Sequence, residues 1–472
     1  MRCGRPTEGR RTLHRVRLLT TGLVLTITLG AFESLAVATI MPIVAADLGG
    51  VTLYGWAFSA FFLASLIGIV VAGDLADHRG PALPYAAGLA LFAIGLVIAG
   101  SAPTMLLLVA GRFVQGLGAG AIPAISYVTI GRAFPEHARP RMFAIFSTAW
   151  VVPSIVGPPA AAFIASALSW RAVFVVLLPF VALAAMLTLP ALLRLGPPDT
   201  PAARQRVRDA VLVAAGAGLA LAALSAGPIA VALVLAAIGL AMAVPAITRV
   251  TPPGTLLARP GLAAAVLTRG LLTFAFFTVE SFLPLMLTEV RGVSTTLSGI
   301  VLTSGAVAWT AGSWFHARLA TRLAGRTIIA TGFALVVTGA LGLLALLVWS
   351  LPFAVVFVCW AVTGVGMGFA YAAISLAVLR LAPSGAEGAS SSAMQVLDNL
   401  GTGLGAGIGG AAVAVAIGNG LPLATGIGAA FAIGIAGGAI GIAVSRRLDA
   451  GRASAGVVGA LSAEARHPAA MP

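Results

Sequence analysis

Three carboxylic acids, Glu33, Glu280 and Asp398, interrupt long apolar stretches of this chain, and so do two arginines, Arg112 and Arg269. An ionised side chain at the centre of a bilayer costs about 2.5–3.5 kcal/mol on insertion scales, so such residues mark an ion path, a substrate path or a buried pair. A carboxylate there can take up and release a proton, and an arginine beside it favours its charged form. Depth suggests the partners. Glu33 lies about 15 residues into its run, and Arg112 about 8 into a run entered from the opposite side. At about 1.5 Å per residue both sit near mid-depth or in the outer half. We expect Glu33 to face Arg112, so that protonation of Glu33 releases Arg112; a static structural ion pair is the alternative. Arg269 and Asp398 each lie about 7 residues from the inner ends of their runs. Either they pair at an inner gate, or they stand solvated at the inner mouth. Glu280, four residues before Pro284, shares its run with Phe274, Phe276, Phe277 and Phe282. A carboxylate near aromatic rings can bind a lipophilic cation or carry a proton. The alternative is an outer-loop charge with the phenylalanines facing lipid or neighbouring helices.

The elements that hold these groups are apolar helices. Of 472 residues 60% are apolar and 9% charged, against about 45–50% and 25% in soluble chains. That excludes most soluble enzymes and leaves an all-α polytopic membrane protein. Fourteen apolar segments can be marked between residues 18 and 445, and most reach the roughly 20 residues that a crossing needs. All 28 basic residues are arginine, and the net charge is +14. The arginines cluster at segment ends, which is a topology signal and not a nucleic-acid footprint. The two tails and the even-numbered connections hold 24 of them; the other side has only Arg171 and Arg291. Both termini are therefore expected in the cytoplasm. The two cysteines, Cys3 and Cys359, are not expected to form a disulfide. The first run is too long for a signal peptide.

The segments group as six, two and six. Residues 1–17 form a basic cytoplasmic tail, 18–200 a first six-helix bundle, and 201–255 a linker with an inserted two-helix hairpin. Residues 256–448 form a second six-helix bundle, and 449–472 a tail expected to be disordered. Gly401, Gly405 and Gly409 make one smooth helix face for close packing, and Gly116, Gly118 and Gly120 are expected to do the same in the fourth segment. Residues 405–410 spell a dinucleotide-binding fingerprint, but no strand precedes them and no ribose-binding acid follows. There is no phosphate-binding loop, no zinc-protease motif and no cysteine–histidine cluster. No cofactor or metal is expected, and the driving force falls to a proton gradient.

The connection Gly73-Asp74-Leu75-Ala76-Asp77-His78-Arg79-Gly80-Pro81 resembles the loop signature of the major facilitator superfamily. Gly73, Leu75, Asp77 and Gly80 match it, and Pro81 replaces a basic residue. Glu33 through Pro42 resembles the first-span pattern of the fourteen-span drug:proton antiporters, with Glu for Asp. Arg112 with Gln115, Gly116, Gly118 and Ala119 resembles the fourth-span pattern. Gly157-Pro158 resembles the fifth-span antiporter signature, with Ala161 and Ala162 for its last glycines. Ser169-Trp170-Arg171 is similar to the turn that follows.

The resemblance covers nearly the whole chain. It implies a major facilitator fold of 14 spans and a proton-coupled efflux transporter of lipophilic, drug-like compounds. We expect proton coupling at Glu33, Arg112, Asp398 and Glu280. A conformational switch is expected at Gly73, Asp77, Arg79, Gly80, Gly157, Pro158 and Arg269. Substrate contact is expected at Gln115, Phe274, Phe277, Glu280 and Trp309. The partners are a small lipophilic substrate, protons and membrane lipid, with no nucleic acid. The chain is expected to be a monomer in the plasma (inner) membrane. Export of one endogenous lipid or metabolite on the same fold is the alternative. A non-transporting receptor would leave the intramembrane acids without a role.

Overall fold

The computed structural model describes residues 6–135, 142, 145–146, 148–196, 205–319, 322–349, 351–383 and 386–448. The tail 449–472 and Arg139, Arg141 and Arg204 lie outside the described residues. Hydrocarbon offers backbone groups no partners, so long apolar runs must satisfy their hydrogen bonds within helices. The elements are α1 (Pro6–Leu48), α2 (Tyr54–Arg79), α3 (Ala82–Gly100), α4 (Met105–Ala133), α5 (Val151–Ala167), α6 (Trp170–Val175), α7 (Leu178–Leu192), α8 (Gln205–Leu224), α9 (Ile229–Val250), α10 (Leu262–Leu285), α11 (Thr295–Leu319), α12 (Gly325–Val348), α13 (Ala354–Leu381), α14 (Glu387–Gly418) and α15 (Leu423–Ser445).

Among the described residues, 12 helices are long and apolar enough to cross a membrane. The fourteen-segment expectation exceeds this at two places. Helix α5 has 17 residues, and its sequence neighbours upstream are only partly described. Helix α11 has 25 residues but carries four threonines, three serines, His316 and Arg318. The basic stretch expected as a separate tail is helical from Pro6 and continuous with the first span, because arginine is a good helix former. The sixth segment is split into α6 and α7, with Ser169 capping α6 by accepting a bond from the Ala172 amide at 3.3 Å.

The packing is a repeat. Helix α1 lies on α5 and α7, α2 on α4, and α3 on α4 and α7. In the same order α10 lies on α14 and α15, α11 on α13, and α12 on α13 and α15. The contacts that join the two sets, α2 on α14 and α5 on α11, exchange under that repeat. Helices α8 and α9 pack on each other, and α8 also touches α2 and α14.

Glycine decides how close these helices come. Gly401, Gly405 and Gly409 all face α10, as their four-residue spacing predicts. The expectation for α4 needs correction. Gly116 and Gly120 face Phe61 and Ser65 of α2, but Gly118 faces Gly88 and Phe92 of α3. A spacing of two turns a helix by about 200°, so alternate glycines serve opposite neighbours.

Candidate functional site

The α1–α4 contact brings Glu33 and Arg112 together in an ion pair, each about 1% exposed. The guanidinium also donates to Gln115 Oε1 at 2.7 Å and, through Nε, to the carbonyl of Ala57 at 3.1 Å. The face of its charged group lies over the Phe61 ring, 4.1 Å from the centroid. Gln115, expected to touch substrate, is one helical turn from Arg112 and its oxygen is spent on it. Among the described residues, Glu33 Oε2 and Gln115 Nε2 are buried with no partner at hydrogen-bond distance. A half-satisfied carboxylate in a dry site has a vacant oxygen on which a proton can sit.

The second pair lies in the other half. Arg269 Nε donates to Asp398 Oδ1 at 2.7 Å, and Nη1 donates to the Tyr371 carbonyl at 3.0 Å and Ser375 Oγ at 3.2 Å. The guanidinium stacks on the Tyr371 ring, whose hydroxyl donates to Asp398 Oδ2 at 3.3 Å. Asp398 lies 11 residues after the helix start and not about 7, because α14 begins at Glu387. Arg269 is 3% exposed and Asp398 half-buried. Stranding the buried partner therefore costs more than stranding the wetter one. We expect Asp398→Ala to lower the thermal unfolding midpoint in detergent more than Arg269→Ala, and the double variant to recover part of the loss. Equal, additive losses would show that the two do not act as a pair.

Glu280 makes no hydrogen bond or ion pair among the described residues. It ends a stripe of half-buried residues on α10, Leu267, Leu271, Phe274, Phe277 and Glu280, between fully buried neighbours. Pro284 has no N–H to give the Glu280 carbonyl, and a π turn over Met286–Val290 follows. Phe277 meets Phe62 of α2 across the seam, with centroids 6.2 Å apart. Phe274 instead presses its ring toward Gly437 of α15. Trp309 stands edge-on to both Phe276 and Tyr371, at 5.5 and 5.3 Å, and links the aromatic group to the Arg269 cluster.

The stretch expected as a connection is the end of α2: Gly73 to Arg79 are helical and Gly80 follows, at the Arg-rich end. Asp77 and Arg79 are exposed, and Gly73 has open space around it. Gly80 has φ 80° and approaches the Leu195 carbonyl so closely that a Cβ would lie 2.9 Å from it. Gly157 packs against Phe32, and the Pro158 carbonyl abuts Gly299 of α11, which places that pair at the α5–α11 seam.

At the Arg-poor end the halves are shut. Gly55 of α2 touches Ala406 and Gly410 of α14 backbone to backbone. Ser59 Oγ donates to the Gly403 carbonyl at 2.8 Å, and the Tyr54 ring lies tilted against Phe282 of α10, with centroids 5.5 Å apart. Sequence reasoning missed Phe61, Phe62, Tyr371 and Ser375. It also missed Asp47, which accepts from Trp170 at 2.9 Å and Arg171 at 3.0 Å. Aromatic and small residues on apolar helices carry no signal of their own; Tyr371 alone, a phenol in an apolar run, could have been noticed.

The family model described as "Major Facilitator Superfamily" matches residues 23–406. Multidrug transporter protein MdtP of Bacillus subtilis is 32% identical over 162 residues, covering 34% of this chain and 30% of that protein. Multidrug resistance protein 3 of Bacillus subtilis is 34% identical over 162 residues, covering 34% and 32%. The chain thus spans about a third of the length of these curated relatives. The solved POT family transporter PepTSo superposes with TM-score 0.69 at 12% identity, covering 91% of this chain and 98% of that one. A D-xylose–proton symporter gives TM-score 0.65 at 13% identity, covering 91% and 97%. At these identities the likeness is one of fold.

Proposed function

The chain belongs to the Major Facilitator Superfamily and is a multi-pass membrane protein, and from that premise we propose that it is a proton-coupled exporter of lipophilic, cationic, drug-like compounds. One observation carries this reading. Of the three carboxylates that interrupt the apolar stretches, two are held by arginine and the third, Glu280, has no partner among the described residues and ends a half-buried stripe that carries Phe274 and Phe277. A carboxyl group with no fixed counter-charge beside aromatic faces can give up its proton to pair with a lipophilic cation. Glu33, with one oxygen on Arg112 and one vacant, is the proton carrier. When a proton neutralises it, Arg112 keeps Gln115 and Ala57 but loses its counter-charge, and the α1–α4 contact re-sorts. Asp398 is the second protonatable position.

The chain works by rocking of two six-helix bundles, 18–200 and 256–448, about a central site. The packing repeat supports this division. So does the distribution of arginines, with the Arg-rich end in the cytoplasm and 14 spans in all, counting α5 and α11. The end of α2 from Gly73 to Arg79, with Gly80 after it, and the Gly157-Pro158 step at the α5–α11 seam are the switch. The protein works as a monomer in the plasma membrane. Its described state is closed to the outside.

Everted vesicles loaded with this protein test the reading. They should accumulate tetraphenylphosphonium when energised and release it on addition of a proton uncoupler. Accumulation that ignores the uncoupler would overturn proton coupling. Glu280→Gln should lower uptake of that cation at least about tenfold, the order of one lost charge-assisted contact, and spare an uncharged substrate. Equal loss for both would make Glu280 structural.

A further inference from the structure

Helices α8 and α9 supply none of the charges discussed above, yet α8 lies on α2 of the first half and α14 of the second at the same time. Three helices converge at Gly407. A Cβ there would fall 2.5 Å from Leu221 Cδ1 of α8 and 2.8 Å from Ser59 Oγ of α2. Ser59 is the residue that bonds Gly403 across the seam. Leu221 is 2% exposed, although its helix stands on the periphery of the bundles. One turn away, Gly218 lies beside Leu63 of α2. Helix α9 packs on α8. It exposes Leu233, Val234 and Leu240 and braces α8. A Cβ on Gly216 would meet the Gly239 carbonyl at 2.5 Å, and Arg249 binds Asp209 at 3.1 Å.

We propose that the inserted hairpin is a clamp on the seam at the Arg-poor end, in which Leu221, seated over Gly407 and Ser59, sets the balance between the two facing states. This rests on the alternating-access reading above. If α2 and α14 part, α8 can follow only one of them. Leu221 then loses one of its two supports and the burial that goes with it. The hairpin therefore favours the closed seam without touching substrate or proton, and Leu221 is a positioning residue.

The distance between spin labels at Thr52 and Asn419, both exposed at the Arg-poor end, measures the seam in a full-length protein whose Cys3 and Cys359 are replaced by serine. The parent should show mainly the short distance. Leu221→Ala should raise the ratio of long to short distances roughly tenfold or more, the order expected for a buried leucine truncated in one state only. Gly407→Ala should also open the seam, because its methyl overlaps Leu221 and Ser59. The double variant Leu221→Ala with Gly407→Ala should return toward the parent, because the new methyl fills the space that Leu221 vacated. A fold defect would not be rescued in this way. If Leu221→Ala leaves the distances unchanged while Gly410→Val, which acts on the seam directly, lengthens them, the clamp is wrong and alternating access stands. If no variant and no added tetraphenylphosphonium moves them, alternating access fails and the clamp with it.

Discussion

Replacing Glu33 with glutamine should abolish uphill transport while leaving downhill exchange in place. Glutamine keeps the length of the side chain and an oxygen to accept from Arg112, so the α1–α4 contact can form. It cannot take up or release a proton in the working range, so the proton gradient has nothing to act on. The scale of the effect follows from the driving force. One proton moving down 100 mV yields about 2.3 kcal/mol, and one pH unit adds about 1.36 kcal/mol. Together they sustain roughly a 500-fold gradient of an uncharged substrate, and all of it should vanish. Counterflow, in which labelled substrate exchanges against unlabelled with no net drive, should persist in the same vesicles. Glu33→Ala is a poorer test, because it strands Arg112 in a dry site at a cost of about 3–5 kcal/mol. Full accumulation by Glu33→Gln, still sensitive to the uncoupler, would move the coupling role to Asp398 or Glu280.

The pairing of Glu33 with Arg112 was legible because the rise per residue is nearly constant, so positions counted from opposite membrane faces can be compared. The same count put Asp398 four residues too shallow, since its helix begins before the apolar run does. Counting could not reveal what else holds each arginine. The Ala57 carbonyl and the Phe61 ring come from α2, where nothing in the sequence distinguishes them from lipid-facing neighbours. Gln115 is expected to touch substrate from the resemblance of the fourth span. Its position one turn from Arg112 makes it a second support for the same ion. Glycine spacing was informative where it matched the helical period, on α14, and misleading where it did not, on α4. The hairpin was visible as an insertion, but its place across the seam is a matter of tertiary packing that no local pattern encodes.

Gly410→Val should trap the protein with the seam open at the Arg-poor end and nearly stop turnover. A Cβ at Gly410 would lie 2.6 Å from the Cα of Gly55, and one at Gly55 would lie 2.6 Å from the Cα of Gly410. Both neighbours are backbone, so no rotamer change relieves the overlap. The halves must separate, and each can do so with its own packing undisturbed. The penalty therefore falls on the closed state alone. Overpacking costs typically about 1–3 kcal/mol, which shifts a two-state balance roughly 5- to 150-fold, and the rigid contact here argues for the upper part of that range. A transporter held in one state binds substrate but cannot deliver it. Binding of a lipophilic cation by the purified variant should survive while vesicle transport falls by at least about tenfold. Gly55→Ala should act in the same direction from the opposite side of the contact, and more weakly, because its methyl is smaller than the valine side chain. Transport by Gly410→Val at the parent rate would show that the two helices are not in contact there during the cycle.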